Sequence, residues 1–225
     1  MSDAAPKPVA PMSFGHRLVY RTIRVMVTVV GKVAFRYEIR GAGNIPEHGA
    51  FILAPVHRSI LDTPMSALVT PRIMRYMGKD SLWETGALAS WFFTAIGGFP
   101  INRDAADRSA IRSAEAILER GEPLVMFPEG TRQSGPLLAE IRDGTAFLAA
   151  RAQVPIIPVG IGGSERIMPV GSKLIYPRKL SFVIGEPIEP PESVDGRVPR
   201  SAVRAHSAKL AAALQELFDE AQMSI

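Results

Sequence analysis

The stretch Ala50-Phe-Ile-Leu-Ala-Pro-Val-His-Arg-Ser-Ile-Leu-Asp62 decides how the rest of the chain is interpreted. Its first five residues are apolar, which is typical of a buried strand, and a helical pattern follows up to Thr70. His57 and Asp62 therefore lie where a strand leads into a helix, and α/β proteins usually place their reactive groups there. A neutral imidazole is the commonest general base, and a carboxylate bonded to its second nitrogen fixes the tautomer. The stretch therefore indicates a candidate catalytic pair.

The local geometry leaves two roles open for Asp62. Residues five apart in a continuous helix lie about 140° apart around the axis, so His57 can meet Asp62 only if it precedes the helix or sits in its first turn. Ser59-Ile-Leu-Asp62 also fits a capping box, in which the acidic side chain satisfies backbone donors at the start of a helix. Pro64 argues partly against that box, because it would fall just beyond the donor-free first turn.

Apolar segments of strand length alternate with helical segments along residues 36–225. This alternation predicts one α/β domain, a single mixed sheet flanked by helices. We predict strands at 35–41, 50–54, 73–77, within 97–103, and at 123–127, 154–161, 174–176 and 180–184. We predict the later helices at 80–93, 105–120, 138–152 and 201–222. Because two prolines interrupt residues 154–161, that strand is expected to be irregular or to lie at an edge.

The first 35 residues form a separate part of the sequence. Residues 1–12 contain three closely spaced prolines and are expected to be a disordered lead. Residues 13–35 have the pattern of an amphipathic helix, or of a helical hairpin, with Ser13 as the N-cap. Its arginines fall on one face and are Arg17, Arg21 and Arg24. Such a basic stripe beside a broad apolar surface predicts docking on an anionic membrane, whereas the alternative is a peripheral helix packed on the core.

Composition narrows the class of protein. The chain has 225 residues, a formal net charge of +4 and a pI of about 9.6, which suit an anionic partner. Its lack of cysteine excludes a disulfide framework, a thiolate metal site and a cysteine nucleophile.

No apolar stretch reaches the roughly 18 residues that a spanning helix needs, and no cleavable signal peptide is recognisable. We expect a peripheral or monotopic protein at the cytoplasmic face of the cell membrane. Nucleic acid is not an expected partner, because the basic residues are not interleaved with aromatic ones.

Two later segments contain arginines shortly after predicted strands. Phe99-Pro-Ile-Asn-Arg103 follows a Gly-Gly turn, and Phe127-Pro-Glu-Gly-Thr-Arg132 follows a buried run. Guanidinium groups, a threonine hydroxyl and glycine-exposed amides together suit a phosphate group. Neither segment is a nucleotide P-loop, because the Gly-Lys-Ser/Thr ending is absent.

Four blocks of the sequence together resemble a known family. They are His57-Arg-Ser-Ile-Leu-Asp62, Phe99–Arg103, Phe127–Arg132 and Val154-Pro-Ile-Ile-Pro158. In order and spacing they are similar to the blocks of the glycerophospholipid acyltransferases, in particular the bacterial PlsC-type 1-acylglycerol-3-phosphate acyltransferases. The resemblance covers about residues 36–190. The His-x4-Asp block combined with the Glu-Gly-Thr-Arg block is highly specific, whereas any one block alone is a weak signal.

The resemblance implies transfer of a fatty acyl group from a thioester, acyl-CoA or acyl carrier protein, to the 2-hydroxyl of lysophosphatidic acid, giving phosphatidic acid. His57 would remove the hydroxyl proton and Asp62 would orient and stabilise it, without an acyl-enzyme, a metal or a further cofactor. The implied phosphate-binding residues are Arg103, Glu129, Gly130, Thr131, Arg132 and Lys79. Within this set, Glu129 would order the loop or contact the glycerol. The implied residues on the acyl-donor side are Val154, Pro155 and Pro158.

The sequence departs from the family pattern at two positions. Val56 stands where the family commonly has asparagine, so one polar support of His57 is expected to be missing. Asp143 stands before Gly144 where the family has a basic residue, which would weaken phosphate attraction or select another acceptor. Two alternative functions therefore stay open, namely the same transfer to another lysophospholipid or a glycolipid, and lipid binding without turnover. The intact motif residues argue against the second.

Overall fold

A mixed sheet forms the centre of the molecule in the computed structural model, which describes residues 9–101, 108–169, 171–172, 174–192 and 198–225. Its strands are β1 (Glu38–Arg40), β2 (Ile52–Pro55), β3 (Arg75–Lys79), β4 (Gly98–Ile101), β5 (Leu124–Val125), β6 (Ile156–Gly162) and β7 (Ser181–Ile184). Within the described ranges, their order across the sheet is β1-β7-β6-β2-β5-β3-β4. Neighbouring strands run parallel except β6 and β7, which pair antiparallel. The predicted mixed α/β sheet is confirmed.

Helices cover both faces of this sheet. They are α1 (Phe14–Ala34), α2 (Asp62–Met65), α3 (Ser81–Glu84), α4 (Ala87–Ala95), α5 (Arg108–Leu118), α6 (Gly144–Ala152), α7 (Ser164–Ile167) and α8 (Arg200–Met223). The chain moves from β2 through β3 to β4 in one direction and returns through α5 and α6. Right-handed crossovers therefore place α5 and α6 on the face opposite to α2, α3 and α4. In addition, α8 packs on β6 and β7, and α1 packs on α4.

The strand β6 is central and regular, so the prediction of an irregular or edge strand there is wrong. All its residues are buried, and it lies between β2 and β7. Its prolines are tolerated because of where they fall. Pro155 precedes the strand, and its carbonyl accepts the Ile52 N–H at 3.0 Å. Pro158 faces the end of β7, where its carbonyl accepts the Gly185 N–H at 3.0 Å and the antiparallel ladder has already ended.

The helix predicted at residues 138–152 starts later, at the first residue of α6. Partners outside the helix engage the backbone of the preceding segment. The Ala139 N–H points to Glu129 Oε2 at 3.3 Å, and the Arg142 N–H donates to the Pro128 carbonyl at 2.9 Å. These bonds hold the segment against the loop after β5, and a helix would have to break them.

Three further predictions are corrected in detail. The helix expected up to Thr70 is the short α2 followed by a 3₁₀ turn at Ser66–Leu68. The helical stretch at 80–93 is divided into α3 and α4 by Gly86, whose φ of 143° is accessible essentially to glycine alone. Residues 174–176 do not form a strand, and their side chains are exposed.

Two glycines of β6 allow α8 to lie directly on the sheet. A Cβ at Gly160 would come within 2.1 Å of the Leu217 carbonyl oxygen, and one at Gly162 within 2.3 Å of the Ala221 carbonyl oxygen. Such close approach of two backbones is a recognised reason for glycine in a strand. The last large side chain that α8 buries fully is Phe218, whereas the neighbouring Leu217 is half-buried.

The N-terminal segment is a single helix within the described residues. Its predicted N-cap is confirmed, because the Ser13 side chain accepts the His16 N–H at 3.2 Å. Arg24 Nε donates to the carbonyls of Ala67 at 3.1 Å and Thr70 at 2.9 Å. The expectation that this arginine faces lipid phosphate is therefore wrong, because it fastens α1 to the domain.

The outer face of α1 is nevertheless apolar. Its exposed apolar side chains are Phe14, Leu18, Val25, Met26, Val29, Val30 and Val33. Within the expected disordered lead at 1–12, Met12 is packed and only 6% exposed, and residues 1–8 lie outside the described residues. Among the helices described, none combines the length and apolar character needed to cross a membrane.

Candidate active site

The carboxyl ends of four strands meet at one edge of the sheet, which we call the carboxyl edge. The strands β2, β5, β3 and β4 run parallel and therefore end on the same side. His57 follows β2, Glu129 follows β5, and Lys79 ends β3. Arg103 follows β4 in the sequence but lies outside the described residues. This edge is where open α/β sheets bind their ligands.

His57 and Asp62 contact each other at the start of α2. The His57 Nδ1 atom lies 3.2 Å from Asp62 Oδ2. The imidazole is 15% exposed, whereas the carboxylate is fully buried. Because Nδ1 is engaged, Nε2 is the ring nitrogen left to accept a substrate proton. The fold therefore brings the predicted pair together.

Asp62 fulfils both roles that the sequence leaves open. Its Oδ2 accepts the backbone N–H groups of Arg58 and Ser59, each at 2.6 Å. The bond to Ser59 is one half of a capping box. The other half is missing, because the Asp62 N–H meets the Ser59 backbone carbonyl at 3.2 Å and not its hydroxyl. The two interpretations are therefore compatible, since the bonds that cap the helix also hold the carboxylate against the imidazole.

A buried ion pair joins the segment after β2 to the loop after β5. Arg58 Nη1 lies 2.8 Å from Glu129 Oε2, and both side chains are 0% exposed. Glu129 Oε1 also accepts the His57 backbone N–H at 2.9 Å. Protein donors thus engage both oxygens of Glu129, so the geometry favours its loop-ordering role over contact with a glycerol.

Arg58 is a residue that sequence analysis did not single out. Its Nη2 donates to the Leu137 carbonyl at 3.2 Å, and its guanidinium lies 4.7 Å from the centroid of the Phe218 ring. The sequence feature that could have identified Arg58 is a charged residue directly after a candidate catalytic histidine, within an otherwise apolar run. A charge in a buried segment needs a partner, and Glu129 is the partner here.

Aromatic packing supports His57 where a polar support was expected to be missing. Val56 is buried, and its N–H donates to the Val159 carbonyl at 3.0 Å. The imidazole instead stacks on Phe127, with ring centroids 4.0 Å apart and an interplanar angle of 24°. The Gln133 N–H donates to the His57 carbonyl at 2.9 Å. The ring is therefore oriented by the stack and the carboxylate together.

A cavity of about 850 Å³ opens beside His57 between the carboxyl edge and the helices α5 and α6. Its apolar wall includes Met77, Ile101, Ile111, Ala114, Val125 and Leu148. Its polar wall includes Gly130, Thr131, Arg132, Gln133, Ser134 and Arg142. This volume is in the range of ligand sites. A wall divided in this way suits an amphipathic molecule with an anionic group.

Two arginines reach the polar wall. Arg132 was predicted, whereas Arg142 was not. Gly130 has a φ of 72°, and a Cβ there would come within 3.0 Å of Arg142 Nε, so the glycine leaves room for that guanidinium. Asp143 accepts the Ser207 hydroxyl at 2.6 Å and is not part of the wall. The neighbouring Arg142 therefore supplies a guanidinium to this wall, and the effect of Asp143 on phosphate attraction or acceptor choice stays a prediction.

Besides the buried Asp62 and Glu129, four predicted residues lie outside the wall of this cavity. Lys79 is exposed at the carboxyl edge, and no contact with the pair is described. Val154 and Pro155 precede β6 and therefore lie at the opposite edge of the sheet. Pro158 pairs in register with Ala54 inside the sheet. Their roles towards the acceptor phosphate and the acyl donor stay predictions.

Buried phenols connect the cavity to the N-terminal helix. Tyr76 lines the cavity, and the Ser66 hydroxyl lies 3.4 Å from its oxygen. Burial raises the pKa of Tyr76 well above its ordinary value, so the phenol stays neutral. Tyr20 on α1 accepts the Met74 N–H at 3.1 Å, and burial raises its pKa as well. The strand β3, which carries Tyr76 to the cavity, is therefore fastened to α1 by a bond directly before its first residue.

The arrangement suits removal of a proton from a hydroxyl group. His57 Nε2 is available, Asp62 can stabilise the imidazolium that forms, and two guanidinium groups lie on the wall of the same cavity. Among the described contacts, no serine or threonine hydroxyl is bonded to the His57 ring. The geometry therefore favours a base acting on the substrate directly over an enzyme nucleophile.

Much of the sequence is similar to that of known proteins. Residues 36–162, which include the strands β1 to β6, match the sequence profile of the acyltransferase family. The chain is 25% identical over 174 residues to the 1-acyl-sn-glycerol-3-phosphate acyltransferase of Bacillus subtilis (strain 168), covering 77% of this chain and 82% of that protein. It is 29% identical over 179 residues to the protein of the same name from Streptococcus pneumoniae (strain ATCC BAA-255 / R6), covering 78% of this chain and 64% of that protein.

The fold has a counterpart among solved structures. The crystal structure of the 1-acyl-sn-glycerophosphate (LPA) acyltransferase PlsC from Thermotoga maritima superposes with a TM-score of 0.67 at 24% identity, covering 88% of this chain and 80% of that one. That likeness concerns the fold. The matched span of sequence contains the His57–Asp62 pair, the Glu129 loop and the strands that place them. The chain therefore belongs to the acyltransferase family.

Proposed function

We propose that this protein transfers a fatty acyl group from an acyl thioester to the 2-hydroxyl of 1-acyl-glycerol-3-phosphate, making phosphatidic acid for phospholipid synthesis. The donor is acyl-CoA or an acyl carrier protein, and the acceptor is lysophosphatidic acid. One observation carries the proposal: His57, bonded to the buried Asp62, lines the same cavity as Arg132 and Arg142. The names of the two bacterial relatives agree with this acceptor.

In the proposed reaction His57 Nε2 accepts the proton of the acceptor hydroxyl. The oxygen attacks the thioester carbonyl carbon, a C–O bond forms, and the C–S bond breaks. The thiolate leaves and takes the proton from the imidazolium. Asp62 stabilises that imidazolium, and the hydrogen bonds from the Arg58 and Ser59 N–H groups hold the Asp62 carboxylate in place throughout the reaction. Neither a metal nor a further cofactor is needed to balance these steps.

The polar wall is proposed to hold the acceptor phosphate. Arg132 and Arg142 supply guanidinium groups and Thr131 supplies a hydroxyl, whereas the Gly130 N–H is already bonded to the Phe127 carbonyl at 3.0 Å. Arg103 and Lys79 are proposed to join them from the neighbouring strands of the carboxyl edge. The apolar wall then receives an acyl chain.

Membrane association is a further part of the proposal. The exposed apolar residues of α1 suit insertion into the lipid surface at the cytoplasmic face of the membrane. Because α1 is fastened to the domain through Arg24 and Tyr20, deletion of the helix would also disturb the fold. The replacement Val29→Ser with Val33→Ser tests docking more cleanly, since both side chains are exposed. We expect weaker binding to anionic vesicles, and unchanged binding would contradict docking through α1.

The central experiment measures thiol release from palmitoyl-CoA, and from an acylated carrier protein, with a panel of acceptors. Lysophosphatidic acid should support turnover, and glycerol 3-phosphate and uncharged lysolipids should support much less. His57→Ala should lower kcat by about 10²- to 10⁴-fold, whereas the exposed histidine variant His48→Ala should be unaffected. Absence of turnover with every acceptor would refute the enzyme proposal and favour lipid binding alone.

Arg132→Ala tests the phosphate site separately. We expect the KM for lysophosphatidic acid to rise about 10- to 100-fold, since a charge-assisted hydrogen bond is lost. The KM for the donor should hardly change. Arg204→Ala, an exposed arginine on α8, serves as the matched control. An equal rise for donor and acceptor would remove the phosphate role, and preference for a lysolipid without a terminal phosphate would favour the alternative acceptors.

A further inference from the structure

A loop between α7 and β7 exposes three consecutive apolar side chains. Leu174 is 65% exposed, Ile175 is 56% exposed and Tyr176 is 40% exposed. Folded monomers rarely expose contiguous apolar groups without a partner that covers them. These residues belong neither to the cavity beside His57 nor to the buried core of the described chain.

Hydrogen bonds among the described residues fix the part of the loop that carries these side chains. The Tyr176 N–H donates to the Ile167 carbonyl at 2.8 Å, which fastens the loop to the end of α7. The Leu174 N–H donates to the Ser172 hydroxyl at 3.0 Å, and that hydroxyl donates to the Leu174 carbonyl at 3.2 Å. The exposure of the three apolar residues is therefore built into the fold.

Two arginines lie beside the apolar residues. A groove of about 460 Å³ is lined by Arg166, Pro169, Tyr176 and Arg178. Neither arginine has a described ion pair or side-chain hydrogen bond within the ranges that the structure covers. Guanidinium groups that line one groove with a tyrosine, next to exposed aliphatic side chains, suit an anionic headgroup above acyl chains.

The position of the loop relates it to the active site. Because β7 is antiparallel to β6, its first residue pairs with the last residue of β6, so the loop lies at the carboxyl edge. The Ser59 hydroxyl lies 3.4 Å from the Met168 carbonyl, two residues from the proposed base. The loop also leads directly to Leu180, whose N–H donates to the Phe35 carbonyl at the end of α1 at 3.0 Å.

We propose that Leu174, Ile175 and Tyr176, with Arg166 and Arg178, form a second contact with an anionic lipid bilayer. Insertion of this loop turns the carboxyl edge towards the lipid surface from which the acceptor must come. A nucleotide or another phosphorylated small molecule would use the arginines but would leave two aliphatic side chains exposed. Only the purpose of this lipid contact, access to the acceptor, rests on the proposed function. The contact itself does not, because vesicle binding can be measured without turnover.

The first test uses the lack of cysteine in the chain. The variant Leu174→Cys, labelled with an environment-sensitive dye, should show a blue shift on vesicles of phosphatidylcholine with phosphatidylglycerol. His48→Cys serves as the control, because His48 is also exposed but precedes β2 and therefore lies at the opposite edge of the sheet. No shift at Leu174, or an equal shift at both positions, would overturn the proposal.

The second test separates loop binding from chemistry. Leu174→Ser with Ile175→Ser should weaken vesicle binding about tenfold. Arg166→Gln and Arg178→Gln should each lower the preference for phosphatidylglycerol about fivefold. Turnover of a short-chain, water-soluble lysophosphatidic acid should stay unchanged in all of them, while turnover of acceptor embedded in vesicles falls. Circular dichroism and the urea midpoint confirm that each variant is folded.

Other results have distinct meanings. Vesicle binding equal to that of the wild type would overturn the loop contact and leave the proposed function intact. An equal loss with the soluble acceptor would show that the loop serves the active site and not the bilayer. If the double serine variant abolished a lipid-independent dimer in sedimentation, a second copy would be the partner and the proposal would be wrong. Absence of wild-type turnover would refute the enzyme proposal, while the dye shift would still decide the loop.

Discussion

Replacement of Glu129 by glutamine separates an ordering residue from a substrate ligand. Its carboxylate lies 2.8 Å from Arg58 Nη1 with both side chains 0% exposed, and it also accepts N–H groups from His57 and Ala139. A glutamine keeps the shape and one acceptor oxygen. Whichever way the amide is turned, its NH2 group then faces a buried donor, and the guanidinium loses its counter-charge.

The expected loss is large because the pair is fully buried. Removal of one partner from a buried ion pair destabilises by about 3–5 kcal/mol, whereas the whole free energy of unfolding of a domain is about 5–15 kcal/mol. Glu129→Gln should therefore lower the urea midpoint strongly, and Arg58→Met should do the same. The double variant leaves neither charge uncompensated. It should lose less stability than the sum of the single variants, with a coupling of about 3 kcal/mol.

Urea unfolding followed by tryptophan fluorescence measures these free energies, and steady-state kinetics on the same samples measures KM. A wild-type midpoint for Glu129→Gln, together with a raised KM for the acceptor, would refute the reasoning. In that case the carboxylate would contact substrate, which is the other role that the family resemblance allows. Additive losses in the double variant would equally exclude a coupled pair.

Three further predictions concern the pair, the pH dependence and the sheet. Asp62→Asn should lower kcat by about 10²- to 10⁴-fold with little change in the KM of donor or acceptor, because the carboxylate acts on the base and not on substrate. A change in KM alone, measured by steady-state kinetics, would contradict this. Burial lowers the pKa of His206 in the folded protein below its ordinary value of 6.5. The neutral imidazole therefore contributes its full stabilisation above pH 6.5. This contribution is lost as the pH falls through the lowered pKa of the folded state. The melting temperature of His206→Gln should therefore depend less on pH between about 5 and 7 than that of the wild type, and parallel curves would exclude this origin. Gly160→Ala should destabilise by about 3 kcal/mol or more, because its Cβ would meet the Leu217 carbonyl oxygen at 2.1 Å. Gly43→Ala, which meets nothing within 4 Å, should be nearly neutral, and equal melting temperatures for both variants would refute the close contact.

The alternation of strands and helices was predictable because it depends on local patterns. The His57–Asp62 pair was predictable for the same reason, since its two residues and its capping bonds all lie between positions 57 and 62. The prediction for β6 was wrong because a proline in a strand is harmful only where its missing N–H faces a ladder partner. That depends on the register with β7, which the sequence does not show.

Long-range pairs account for what sequence reasoning missed. Arg58 and Glu129 are 71 residues apart, so nothing local indicates that one neutralises the other. Arg142 and Asp143 are adjacent, and only the packing of Asp143 against Ser207 decides which of them faces the cavity. Arginines on α1 were expected to face lipid, yet Arg24 is directed to backbone carbonyls of the domain. Each of these outcomes depends on which elements become neighbours.

The antiparallel return of β7 also has a consequence during synthesis. Because β1 pairs with β7, β1 cannot join the sheet during synthesis until β7, the last strand of the described sheet, has been translated. The strands β2, β5 and β6 can pair earlier, and they position the residues proposed for catalysis. The glycine-bearing face of β6 stays uncovered until α8 has been translated and docks on it. The nascent chain therefore holds its reactive pair before it has the helix that shields the sheet, and during that interval an apolar strand is open to chaperones and to aggregation.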